Sequence, residues 1–276
     1  MSDTLPDQPI DKLLKIMEKL RDPDGGCPWD LEQTYETIAP HTIEEAYEVA
    51  DAIAEKDMEE LKSELGDLMF QTVFYAQMAK EEGHFEFKDV IEGINEKMIR
   101  RHPHVFGDKS IETAEAQTIA WEETKAIERA EKSKGKPVPQ SALDGIAKTL
   151  PSLTRALKLQ NRAARVGFDW PDIYPVFDKI QEELGEFREE VDLQSSKDRL
   201  EDEFGDILFA VVNLGRHMGL DPETALARTN RKFTTRFMQV EKTLQETGKS
   251  IENSSLEEMD EIWTQVKTQE KKAINE

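Results

Sequence analysis

Glu183 and Glu186 stand three residues apart in "QEELGE" (181–186), and Glu203 and Asp206 stand three apart in "LEDEFGDILF" (200–209). Residues at that spacing share one face of a helix. Between the two pairs, "LQSSKD" can turn the chain back and set them opposite each other on antiparallel helices. Four carboxylates brought together repel unless a hard cation sits among them, and oxygen-only ligation suits Mg2+ or Mn2+ better than zinc. The same construction recurs at Glu45, Glu48, Glu64 and Asp67, in "IEEAYE" (43–48) and "LKSELGDLMF" (61–70). One acidic pair alone carries no weight: with 58 acids in 276 residues, roughly a dozen such pairs arise by chance. Two pairs at matched separation, with the same Gly and Phe frame and repeated in both halves, point to divalent-metal binding.

Gly66 and Gly205 sit inside these acidic segments, where a glycine weakens a helix by about 1 kcal/mol relative to alanine. They predict that a neighbouring helix or a ligand approaches the backbone closely beside the acids. The other face of each segment is apolar: Leu65, Leu68, Met69 and Val73 in one, Phe204, Ile207, Leu208 and Val211 in the other.

The elements that must carry these residues are helices. Apolar residues at helical spacing recur over 11–20, 42–56, 58–80, 88–101, 113–130, 145–166, 172–192, 198–218, 222–246 and 256–272, and strand-like alternation is almost absent. Thr42 with Glu45 reads as a capping box, and Asp221-Pro222 as a cap followed by a first-turn proline. The fold class is all-α. "EKSKGKPVPQS", from residue 131, has no apolar periodicity and suits an exposed connector. Across it the chain repeats: "ELGDLMF" returns as "EFGDILF", "NEKMIRR" (95–101) as "NRKFTTR" (230–236), and "WEETK" (121–125) as "WTQVK" (263–267). These offsets drift only as loop insertions would shift them. The organisation predicted is two tandem helical-bundle modules, 1–130 and 145–276, joined by a linker over 131–144.

With 36 basic against 58 acidic residues, the formal net charge is -22, so the mean field repels nucleic acid and anionic lipid. Neither is an expected partner. No segment of about 18 apolar residues occurs and no basic leader opens the chain, which places it in the cytoplasm. The single cysteine, Cys27, reads as structural.

With these motifs in view, the chain resembles the MazG family of nucleoside triphosphate pyrophosphohydrolases. The resemblance covers "RDPDGGCPWD" (21–30), "RRHPHVFGD" (100–108), "VGFDW" (166–170) and both acidic blocks, nearly the whole chain. It implies the two-module form of the family, a homodimer, and Mg2+-dependent hydrolysis of nucleoside triphosphates to NMP and pyrophosphate. By position, the implied metal ligands are Glu183, Glu186, Glu203 and Asp206 in the second module and Glu45, Glu48, Glu64 and Asp67 in the first.

Cleavage between the α and β phosphates needs an in-line water, neutralised phosphate charge and a base. Glu182, beside the ligand Glu183, is the candidate base, although a ligand carboxylate could serve as well. Lys232 with Arg236, and Lys97 with Arg101, lie four apart and could hold phosphate oxygens. Trp263 and Trp121 occupy matched positions where an indole could stack on a base of any identity; core or interface packing is the other reading. Arg199 stands where the first module has Glu60, and a polyanion prefers the former. The second module is therefore expected to carry most of the hydrolysis, on a broad range of NTPs and dNTPs in a house-cleaning role. A nucleotide-binding sensor without turnover, a narrower dUTP-type pyrophosphatase and a purely structural helical dimer are the alternatives. Trp29 and Trp170 are expected to plug helix ends, His102 and His104 to serve a cap or turn, and "DPDGG" (22–26) to be a turn, since Gln33 stands where a calcium loop needs Glu.

Overall fold

The computed structural model describes residues 5–108 and 141–275, together with 110, 111, 113, 116, 117, 120, 121, 124, 127 and 128. All regular structure among them is helical, as the periodicity predicted. The chain divides between Glu128 and Arg129 into two compact units. Residues 131–140 of the expected linker, and most of the helix expected over 113–130, lie outside the described residues. No helix among the described residues is long and apolar enough to cross a membrane.

The first unit comprises α1 (Pro9–Leu20), α2 (Pro28–Glu32), α3 (Tyr35–Glu55), α4 (Met58–Glu81), α5 (Phe87–Arg101) and α6 (Pro103–Phe106). Helix α3 starts seven residues before the expected cap at Thr42. Thr34 is its N-cap, closing a reciprocal capping box with Thr37, and the helix runs through Pro40. Thr42 instead lies inside the helix, with its hydroxyl 3.3 Å from the Ile38 carbonyl and 2.9 Å from the Tyr75 hydroxyl. A proline in the second turn forfeits one amide hydrogen bond, to the residue four before it, and the Thr34 cap supports the turn ahead of it. Lys56, in the left-handed region at φ 61°, ends α3, and Asp57 caps α4 by accepting from the amides of Glu59 and Glu60 at 3.1 and 3.0 Å. So short a link returns α4 antiparallel along α3, which places Glu45 and Glu48 opposite Glu64. On the far side of α4, Val73, Phe74 and Met78 pack with Met17 of α1 and Ile38 of α3 into the core of this unit.

The second unit comprises α7 (Ser152–Arg165), α8 (Tyr174–Asp192), α9 (Lys197–His217), α10 (Pro222–Glu246), a 3-10 turn (Ile251–Asn253) and α11 (Leu256–Asn275). Helices α8 and α9 form the counterpart of the α3–α4 hairpin. Gln194, at φ 52°, lies in its turn, and Ser196 caps α9 through the Arg199 amide at 3.3 Å. Asp221 caps α10 as expected, accepting from the Thr224 amide at 2.8 Å with Pro222 in the first turn. Helix α7 packs on α9 and α10, and α11 runs along α10.

The apolar faces beside the acids are only partly covered by the chain. Val73 is buried, whereas Leu65, Met69, Phe204, Leu208 and Val211 are exposed. The glycine expectation fails in one of its two forms: a Cβ added at Gly66 or Gly205 would meet nothing within 4 Å, so among the described residues of its own unit no neighbouring helix presses there.

Candidate active site

The two helices of the second hairpin bring Glu183, Glu203 and Asp206 together, each able to offer an oxygen within 4.8 Å of the others. Glu183 and Glu203 are buried, at 5% and 4% exposure, and Asp206 is exposed. Glu186, one turn further along α8, stands outside this trio. Its carboxyl is held above the usual range by partial desolvation and by the charge of Glu183, with Glu203 adding to the effect. Two buried carboxylates would be costly if left uncompensated. Arg199 supplies one compensation, with Nη2 2.6 Å from Glu203 Oε1 and Nε 3.0 Å from Glu190 Oε1. Lys179 supplies the other: its ammonium lies 2.8 Å from both Glu182 and Glu183, and these hydrogen bonds raise its pKa above the usual lysine range.

Lys179 is the site residue that sequence reasoning missed. The signal was present, because a lysine four residues before Glu183 faces it on a helix.

In the first unit the corresponding trio is Glu45, Glu48 and Glu64, again with oxygens within 4.8 Å of one another; Asp67 stands outside it, as Glu186 does in the second. Among the described residues no comparable cation is paired with these acids. His41, at the Lys179 position, lies 3.4 Å from Glu44, and Glu60 takes the place of Arg199. Desolvation raises the Glu45 carboxyl, helped by the charges of Asp67 and Glu48, and raises that of Glu64, helped by Glu48 and Glu60. In both units three hard oxygen ligands converge from two helices, a donor set that suits a divalent cation.

A cavity of about 850 Å3 opens beside the second trio. Glu183, Asp206 and Lys179 form its acidic edge, and Gln160 of α7, Trp170, and Asn213 and Arg216 of α9 stand in its walls. Trp170, expected at a helix end, lines this cavity. The α9 register explains why the first unit differs. Phe74 occupies the position of Asn213, is 1% exposed, and packs in the core with the Arg21 guanidinium 5.4 Å from its ring centroid.

The expected phosphate-binding cations lie elsewhere in each unit. Arg236 on α10 is held by Glu270 of α11 at 2.6 Å and lies 5.7 Å from the Trp263 ring, which itself packs 5.2 Å from Phe233. Arg101 is held in the same way by Glu128 at 2.5 Å, and with Arg100 it lowers the Glu128 carboxyl to about 2. Lys232 is exposed and Lys97 half-buried. Lys232, Arg236 and Trp263 are not among the residues of the cavity wall. His102 ends α5 with Nδ1 2.7 Å from the Met98 carbonyl, in keeping with a cap, and Asp22 to Gly26 form a turn closed by the Gly26 amide on the Asp22 carbonyl.

The chain matches the model of the MazG nucleotide pyrophosphohydrolase domain twice, over residues 33–106 and 176–240. It belongs to the MazG family. The two matched segments run from α3 to α6 and from α8 to α10, so each contains one acidic hairpin. The chain is 52% identical over 263 residues to a nucleoside triphosphate pyrophosphohydrolase of Escherichia coli K12, covering 95% of this chain and 98% of that one. It is 44% identical over 258 residues to the nucleoside triphosphate pyrophosphohydrolase/pyrophosphatase MazG of Thermotoga maritima, covering 94% and 95%. The same 44% identity over 258 residues holds for the uncharacterized protein YabN of Bacillus subtilis, of which 51% is covered. Helix α7 and the "VGFDW" loop, which wall the cavity, precede the second matched segment of this tandem MazG chain.

Proposed function

We propose that this MazG chain is a Mg2+-dependent hydrolase of nucleoside triphosphates, releasing NMP and pyrophosphate from a broad range of NTPs and dNTPs as a house-cleaning activity of the cytoplasm. The observation that carries the reading is the convergence of Glu183, Glu203 and Asp206, of which Glu183 and Asp206, with Lys179, line a nucleotide-sized cavity. Glu183, Glu203 and Asp206 hold the divalent cation, with Glu186 reaching in from one turn away. When bound, the cation supplies neutralisation of the triphosphate charge.

The protein groups divide the remaining work. Lys179 and Arg199 balance the buried acids in the free chain, and an arriving triphosphate offers both cations an alternative set of oxygens. Lys179 also holds Glu182 beside Glu183, and Glu182 is assigned the proton of the attacking water. Lys232 and Arg236 of α10 are assigned to phosphate oxygens, with Arg236 leaving Glu270 to reach them, and Trp263, packed on Phe233 beside Arg236, to the packing that was its other reading.

The C-terminal unit is assigned most of the turnover. It combines the cavity with two cations at the acids, whereas the N-terminal unit fills the Asn213 position with Phe74 and has Glu60 in place of Arg199. In that unit Glu45, Glu48, Glu64 and Asp67 are assigned a subsidiary metal site, and Lys97 and Arg101, the latter leaving Glu128, are assigned to phosphate oxygens. The exposed Leu65, Met69, Phe204, Leu208 and Val211 favour a homodimer that covers them. Incubating the purified chain with each common NTP and dNTP, with Mg2+ or with EDTA, and separating the products by ion exchange tests the reaction. NMP and pyrophosphate formed only with metal are expected; NDP and phosphate, or bound but unchanged substrate, would overturn it.

A further inference from the structure

Two carboxamides stand in the otherwise mainly apolar wall of the cavity, Gln160 of α7 and Asn213 of α9. Both are more than nine-tenths buried. Each is pinned in a single orientation by a neighbour with only one hydrogen-bonding sense. Gln160 Nε2 donates to the Phe209 carbonyl at 2.8 Å; a carbonyl only accepts, so the amide nitrogen must face it and Oε1 is the free end. That Oε1 is fully buried and has no hydrogen-bond partner among the described residues. Asn213 is fixed the opposite way. Arg216 Nε only donates, and it donates to Asn213 Oδ1 at 2.8 Å, which leaves the amide NH2 as the free end. Arg216 is itself held by Asp169, with Nη1 donating to Oδ2 at 3.0 Å.

A buried acceptor without a partner is destabilising, and it calls for a donor that arrives with a ligand. We propose that Gln160 Oε1 and Asn213 Nδ2 contact the edge of the nucleobase, Oε1 accepting a base N–H and Nδ2 donating to the ring nitrogen or carbonyl beside it. This inference rests on the pyrophosphohydrolase reading and adds to it the residues that meet the base. Uracil presents such a pair at N3–H and O4, guanine at N1–H and O6, cytosine at N4–H and N3, and adenine at N6–H and N1. One acceptor and one donor in the same cavity wall therefore engage every common base and choose weakly among them, which is compatible with broad specificity. What they exclude is a base whose edge N–H is lost, such as N3-methyluracil, because Gln160 Oε1 then stays buried and unmatched. Phe168 and Trp170, also in the wall, offer faces to the ring.

The test uses calorimetry on the full chain with Mg2+ and three ligands: the non-hydrolysable α,β-methylene analogue of UTP, its N3-methyl derivative, and tripolyphosphate. The unaltered chain is expected to prefer the UTP analogue over the methylated one by about tenfold or more. Gln160→Leu is expected to erase that preference while binding tripolyphosphate as the parent does. Equal affinity of the parent for the two nucleotides would overturn the inference, and that comparison stands whatever the variant does. Preference retained in Gln160→Leu, or an equal loss for all three ligands, would also overturn it, the latter by showing a merely structural role. A parent that binds neither nucleotide nor tripolyphosphate would overturn the pyrophosphohydrolase reading itself, whereas one that binds tripolyphosphate but gains nothing from the nucleoside would overturn only the base contact.

Discussion

Arg199 occupies one of the carboxylates assigned to the metal, which gives a prediction of opposite sign for two ligands. Its Nη2 lies 2.6 Å from Glu203 Oε1, so in the free chain a divalent cation must compete with a guanidinium for that oxygen. Replacing Arg199 with Met removes the competitor and leaves the 4%-exposed Glu203 without its cation. The Arg199 side chain is 53% exposed, so solvent screens the pair and its effect on a dissociation constant is modest, roughly fivefold. Arg199→Met is therefore expected to bind Mg2+ about fivefold more tightly in the absence of nucleotide, and to bind the triphosphate analogue more weakly because a phosphate partner is gone. Calorimetric titration with Mg2+ alone, then with the analogue at saturating Mg2+, reads both effects. In the metal-free chain the same variant should melt about 2–4 °C lower, and added Mg2+ should shrink the deficit. Unchanged or weaker Mg2+ binding would refute the placement of Arg199 on a metal ligand.

The first unit has its own pH signature. Glu45 and Glu64 carry folded-state pKa values above their unfolded ones, so they oppose folding as pH rises through the folded values, and protonation relieves the repulsion. Lowering the pH from 7 toward 5 is expected to raise the calorimetric melting temperature of this unit in the metal-free chain, and the rise should be absent in a Glu45→Gln, Glu64→Gln double variant or with Mg2+ bound. Glu128 acts in the opposite direction: lowered to about 2 by its arginines, it adds stability above the usual carboxylate range that is lost as pH falls toward 2. Asn213→Phe copies the side chain found at the corresponding position of the first unit into the cavity wall; nucleotide affinity in calorimetry should fall at least about tenfold, with a melting temperature slightly lower because Arg216 Nε loses the Asn213 Oδ1 acceptor.

Much of this arrangement was legible in the residues. The i,i+3 acids, their matched separation and the repeat placed both hairpins, and Asp221-Pro222 marked a helix start that the structure keeps. Thr42 misled because a Thr three residues before a Glu has the pattern of a capping box; the Thr34 cap and the packing of Ile38 carry the helix from Tyr35 through Pro40 and past it. Gly66 and Gly205 suggested a helix pressed against the acids, but that face is open in the chain. The cavity could not be read at all, because Gln160, Trp170, Glu183 and Asn213 come from three helices and a loop, and their meeting depends on tertiary packing. The orientation of each carboxamide depends in turn on a single neighbour, Phe209 or Arg216.

The central assignment is that hydrolysis belongs to the carboxylates of the second hairpin. Its most direct test compares Glu203→Ala with Glu64→Ala in the full chain, following NMP and pyrophosphate release from an NTP with Mg2+, with circular dichroism confirming that both variants fold. Glu203→Ala is expected to lose at least about a hundredfold in turnover, the scale of removing one group that stabilises transition-state charge, while Glu64→Ala keeps most of it. Activity that survives Glu203→Ala and disappears in Glu64→Ala would contradict the assignment.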